Sequence, residues 1–155
     1  MRLVHASATV TALITGILLS FSFGDDLPPN HDAAIEQIIR SGTAAFNAGD
    51  FKASVKDLHA TRYTSYGSSP QGELADVPRE ALVELMQAFI PASGGVRVSD
   101  PIDLNVWAHG EAAFATYLRK VETGAKKWST LRMTAVFYKI DGVWQLVHEH
   151  QSVLM

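Results

Sequence analysis

Apolar positions along this chain recur with two different periods, and the switch between them divides the molecule. After Asn30, the residues Ile35, Ile38, Ile39, Gly42, Ala45 and Phe46 fall on one face of a helix. Asn30 or Asp32 can cap its start by accepting from a first-turn N–H. Gly49 stands where a left-handed residue closes a helix. Asp50 can cap a second, short helix whose apolar positions are Phe51, Val55 and Leu58. Thr61–Gly67 reads as a short strand with Tyr63 and Tyr66 on opposite faces, and Ser68–Asp76 as a polar loop. Pro78 suits the first turn of a third helix. Leu82, Leu85, Met86 and Phe89 should form its buried stripe, and Pro91 should end it. Gly94-Gly95 breaks the chain, and from there alternation replaces the helical period.

The alternating part predicts strands over Val96–Trp107, Glu111–Glu122, Trp128–Ile140 and Val143–Leu154, separated by His109-Gly110, Thr123-Gly124 and Asp141-Gly142. A two-residue Asp-Gly loop favours a type I′ hairpin, because both positions take positive φ. Helices followed by an antiparallel meander give an α+β domain with helices covering one face of a curved sheet. Simple alternation from the Asp141-Gly142 turn puts Leu131, Met133, Ala135 and Phe137 on one face with Trp144, Leu146, His148, His150 and Ser152. Arg132, Thr134, Val136 and Tyr138 then share the other face with Gln145, Val147, Glu149, Gln151 and Val153. The first face begins apolar and ends in His148, His150 and Ser152, which suggests a cavity under the helices that opens at one end. The second face is half apolar with no continuous ionic coat, and is a candidate dimer interface.

Composition sharpens the class more than the chemistry. The chain has 155 residues, enough for one ordinary domain, with 13 Lys+Arg against 16 Asp+Glu and a formal net charge of -3. No basic block offers itself to phosphate, so a nucleic-acid partner is not expected. There is no cysteine, which excludes thiol catalysis, disulfides and iron–sulfur clusters. The apolar residues are unevenly spread. Residues 1–24 carry one charge, Arg2, and the run Ala12–Phe23 is too short to span a bilayer as a helix. A basic start, a short apolar stretch and the end Ser22-Phe23-Gly24 describe a secretory signal peptide, with an uncleaved anchor or a plain N-terminal helix as the alternative. Cleavage after Gly24 would leave residues 25–155 as a single periplasmic or secreted domain without stable membrane anchoring.

The stretch 130–152, TLRMTAVFYKIDGVWQLVHEHQS, resembles the last hairpin of the nuclear transport factor 2-like superfamily, nearest to its SnoaL-like and calcium/calmodulin-dependent kinase II association-domain branches. Thr134, Val136, Asp141, Gly142, Trp144, Leu146, Val147, His148, His150 and Ser152 carry the resemblance. The Asn47, Gly49, Asp50 joint and the helix over 78–90 fit it as well, so that it covers about residues 31–154. The resemblance implies a cone-shaped, strongly curved antiparallel sheet wrapped around N-terminal helices (a nuclear transport factor 2-like or cystatin-like barrel), a deep pocket between them, and a homodimer. The superfamily holds ketosteroid isomerase, scytalone dehydratase, polyketide cyclases, limonene epoxide hydrolase and non-catalytic binding domains, so the fold leaves the function open. Two departures stand out. The association domains carry an Arg in the strand before the turn, where this chain has Ala135, with Arg132 on the other face. Ketosteroid isomerase needs carboxyl groups in its pocket, and alternation places no Asp or Glu on the inward face of this hairpin.

His148 and His150 lie two apart on a strand and so point to the same side. Such a pair can act as a general base with an orienting donor, as two metal ligands still lacking a third, or as polar groups lining a binding cavity. Tyr63, Tyr66 and Tyr117 are strand phenols that could polarise a carbonyl, or simply set their rings in the core. Trp107, Trp128 and Trp144 read as core or interface residues, and Gly94-Gly95 lacks the strand–loop–helix order of a phosphate loop. The expected ligand-binding set is therefore His148, His150, Ser152, Tyr63 and Tyr117, with no cofactor and no metal. The expected function is binding of a small apolar or aromatic molecule without an assigned reaction. The alternative is a pocket enzyme of isomerase, dehydratase or polyketide-cyclase type with His150 or His148 as general base. A carboxylate inside the pocket would separate the two.

Overall fold

Helix α1 (His31–Asn47) begins where Asn30 accepts a hydrogen bond from the backbone N–H of Ala33 at 3.1 Å. Its Ile35, Ile39 and Thr43 are buried. Gly49, at φ +78°, turns the chain out of the helix. Asp50 then caps the single-turn helix α2 (Phe51–Ser54), accepting from Ala53 N–H at 3.0 Å. Asn47 fixes this joint to the sheet: its amide donates to Val98 O at 2.7 Å, and its carbonyl oxygen accepts from Val98 N–H at 3.0 Å. The computed structural model describes residues 30–67, 75–76, 78–124 and 127–154. The expected signal peptide at 1–24 lies outside the described residues, as do residues 68–74 of the expected Ser68–Asp76 loop, whose end at Ala75–Asp76 is instead a short strand.

The strands are β1 (Thr64–Tyr66), β2 (Ala75–Asp76), β3 (Val96–Val98), β4 (Ile102–His109), β5 (Ala112–Thr123), β6 (Lys127–Ile140) and β7 (Val143–Val153). They form one curved sheet in the order β2-β1-β7-β6-β5-β3, with β4 also paired to β5. All pairings are antiparallel except that of β1 with β7. The single strand expected over Val96–Trp107 is thus two pieces along the same edge of β5. The break falls at Ser99–Pro101, where proline cannot donate to the ladder. Ser99 bridges the gap, donating its N–H to Lys120 O at 2.8 Å and accepting Lys120 N–H on its hydroxyl at 3.0 Å.

The Asp141-Gly142 turn is as the sequence demands: φ is +51° and +80°, and Ile140 pairs with Val143. The register from that turn does not persist. Phe137 pairs with Leu146, but Val136 pairs with His148, so Val147 is an extra residue in β7. This β-bulge reverses the faces of everything beyond it. Ala135 now faces Glu149 and Met133 faces Gln151 across the ladder, while Thr134 faces His150 and Arg132 faces Ser152. The expectation that His148, His150 and Ser152 share the inner face with Trp144 and Leu146 is corrected: Glu149 and Gln151 hold that side. The polar tail of β7 has no apolar alternation to oppose the slip.

Helix α3 (Arg79–Ala92) starts after Pro78 and continues through Pro91 for one further residue. Arg79 anchors it, donating its N–H to Ala60 O at 3.2 Å and a guanidinium N–H to Lys56 O at 3.1 Å. Its apolar stripe is only half buried. Leu82 and Met86 pack on the core, whereas Leu85 is 43% and Phe89 67% exposed. The expected buried stripe is therefore corrected to a partial one.

The core lies between α1, α2 and the concave face of the sheet. Phe137 and Trp144 are buried in it, with the His31 ring edge-on to Trp144 at 5.5 Å. Further along, the small Ala135 lies on the concave face between Met133 and Phe137, and a cavity opens there between sheet and helices.

Candidate functional site

The cavity has a volume of about 560 Å³, within the range of small-molecule sites. Ile38, Ile39 and Phe46 of α1, Leu82, Leu85 and Met86 of α3, and Leu131, Met133, Ala135 and Phe137 of β6 make its walls mostly apolar. Into this space project Tyr63, Ser65, Tyr117, Arg119, Glu149 and Gln151, with Thr43 from the helix side. Tyr63 and Ser65 lie two apart at the start of β1 and are both buried, with a side-chain hydrogen bond between them. Tyr117 and Arg119 lie two apart on β5, the guanidinium carbon 5.1 Å from the centre of the tyrosine ring. Glu149 and Gln151 enter because of the bulge at Val147.

The electrostatics follow from burial. Loss of water pushes the Glu149 carboxyl above its ordinary range, and the positive charge of Arg119 opposes that shift only in part. Burial also raises the Tyr63 and Tyr117 hydroxyls, and the negative charge of Glu149 raises them further. Both phenols therefore stay protonated and can donate hydrogen bonds throughout the physiological range. A carboxyl poised by burial beside two phenol donors can move a proton to or from carbon while the donors hold a carbonyl oxygen.

Of the five residues expected to bind ligand, the structure places Tyr63 and Tyr117 in the cavity. His148, His150 and Ser152 stand on the convex side. There His148 Nδ1 meets Thr64 Oγ1 at 2.8 Å, and the Tyr66 ring stands edge-on to both imidazoles, at 5.8 and 6.3 Å. Among the described residues no three His, Asp or Glu side chains gather as a metal-binding set. Sequence reasoning missed Glu149 and Arg119. For Arg119 a signal existed: the alternation Ala113, Ala115, Tyr117, Arg119 carries a cation along the buried face of β5.

A curved, mostly antiparallel sheet folded over helices, with a cavity between them, defines the nuclear transport factor 2-like class. Within it, residues 35–155 match the SnoaL-like domain, and the chain belongs to that family. None of the curated proteins compared with it matches. Solved structures agree on the fold. An NTF2-like protein of unknown function from Pseudomonas putida KT2440 has a TM-score of 0.67 at 19% identity, covering 79% of this chain and 85% of that one. A candidate dehydratase of the NTF2-like family from Streptomyces avermitilis gives 0.65 at 15%, with 82% and 99% covered. A candidate ketosteroid isomerase from Shewanella frigidimarina gives 0.63 at 22%, with 79% and 98% covered.

Proposed function

We propose that this SnoaL-like domain is a pocket enzyme that moves a proton on a small, mostly apolar carbonyl compound. Glu149 is the proton carrier and Tyr63 and Tyr117 are the donors to the carbonyl oxygen. The observation that carries this reading is the carboxyl of Glu149 inside an apolar cavity, beside two buried phenols. A buried carboxyl with a raised pKa is a better-matched base near neutral pH than an exposed one. In the reaction the α C–H bond breaks and its proton goes to the Glu149 carboxylate. The electron pair moves onto the carbonyl oxygen, where the phenol O–H groups stabilise it, and the proton is then returned to carbon. His148 and His150 take no part.

The test is α-deuteration of 2-tetralone in D2O, followed by proton NMR. The wild-type protein is expected to accelerate exchange over buffer. Glu149→Gln should lower that acceleration by a factor of about 100 or more, the usual contribution of a positioned base. Undiminished exchange in Glu149→Gln, or none above buffer in the wild type, would overturn the reading. The domain is further proposed to work as a homodimer joined through the convex face of the sheet, where Trp107, Phe114 and Tyr138 are exposed.

A further inference from the structure

Arg119 has more hydrogen-bonding capacity than the protein uses. One Nη2–H donates to Thr43 Oγ1 at 2.8 Å, and the Thr43 hydroxyl in turn donates to Ile39 O at 2.8 Å. This chain pins the guanidinium to α1, and the Tyr117 ring 5.1 Å away limits its tilt. Its Nε–H is buried, and no described residue accepts from it. A pinned, planar cation lining a mostly apolar cavity fits the two oxygens of a carboxylate.

We infer that Arg119 selects ligands bearing a carboxylate on an otherwise apolar body, so that the substrate of the proposed proton transfer is a carbonyl compound with an acidic end group. This rests on the pocket reading above and names its substrate class. The charge inventory of the cavity supports it. Asp57 also lines the cavity, but it is paired with Lys56 at 2.6 Å. Glu149 makes no direct ion pair with Arg119 among the described residues, although the positive charge of Arg119 is felt at its carboxyl. Arg119 is thus a cation on the cavity wall that no carboxylate of the described residues pairs directly.

The test compares 2-naphthoate with its uncharged isostere, 2-naphthamide, by titration calorimetry at pH 7. The wild type should bind the carboxylate about ten-fold or more tighter than the amide, the fold-change of a charge-assisted hydrogen bond. Arg119→Met should erase that preference. Arg119→Lys keeps a cation but not the fork, and should retain a reduced preference for the carboxylate; it serves if the Met variant does not fold. Equal wild-type affinities for the two probes would overturn the inference, as would a preference that survives Arg119→Met. Binding of neither probe would overturn this inference together with the pocket reading. Carboxylate preference without deuteration of 2-tetralone would leave the inference standing and remove only the proton transfer.

Discussion

Burial holds the Glu149 carboxyl above the ordinary carboxylate range, and this has a sign that stability measurements can read. Its folded pKa is raised, by burial first and despite Arg119. The folded state therefore retains this proton at pH values where the unfolded chain has released it. Its contribution to stability is full below the unfolded carboxylate pKa and is lost as pH rises toward the folded value. Glu149→Gln cannot ionise and escapes that loss. The difference in unfolding free energy between Glu149→Gln and the wild type should grow in favour of the variant above about pH 4.3, with a slope of at most about 1.4 kcal/mol per pH unit. Chemical denaturation at a series of pH values measures it, and a difference that stays flat from pH 4 to 8 would refute the assignment. The same residue shows where the sequence stopped speaking. Tyr117 could be placed on the inner face because Ala113 and Ala115 precede it on the same side of β5, whereas Tyr63, among polar neighbours, was legible only from its own apolar ring. Glu149 could not, since the residues around it in β7 are polar on both faces and no hydrophobic alternation chooses between registers.

At the scale of elements, the parallel pairing of β1 with β7 depends on one glycine. Gly67 ends β1 at φ +83°, and a Cβ there would sit 2.0 Å from the backbone oxygen of Gln151. That oxygen belongs to the strand that delivers Glu149 and Gln151 to the cavity. Gly67→Ala should cost about 2–4 kcal/mol, combining the left-handed penalty with a backbone displacement. Gly49→Ala provides the comparison: φ is +78° there too, but a Cβ meets nothing within 4 Å. Its cost should stay near 1 kcal/mol. Urea unfolding of both variants decides the matter, and a Gly67→Ala cost no larger than that of Gly49→Ala would refute the argument. Most elements were legible because caps and turns announce themselves through Asn30, Asp50, Gly49 and Asp141-Gly142. The break in the first long strand was less so, since Ser99–Pro101 interrupts pairing without disturbing the apolar period on either side.

At the scale of the whole molecule, the convex face of the sheet carries exposed aromatic rings that the site does not account for. Trp107, Phe114 and Tyr138 are 57%, 43% and 50% exposed, and the Trp107 and Phe114 rings lie 5.5 Å apart. Aromatic rings clustered on one face commonly mark a contact with another protein surface. If two copies meet there, Phe114→Glu should weaken the dimer by about 100-fold or more, because it buries a charge at the centre of an apolar contact. Sedimentation velocity at micromolar concentration is the check. A monomeric wild type, or a variant that associates as tightly as the wild type, would dismiss the proposed assembly.

The bulge at Val147 has a consequence for how such a domain could change its chemistry over evolution. A substitution can alter one group at a time, but the length of β7 at this point governs which of two whole sets of groups the ligand meets. With the extra residue, a carboxyl and an amide look inward and two imidazoles and a hydroxyl look outward. Without it, geometry would exchange the two sets in one step. The chain thus carries two alternative site compositions on opposite sides of a single strand, and a one-residue indel is the selector between them.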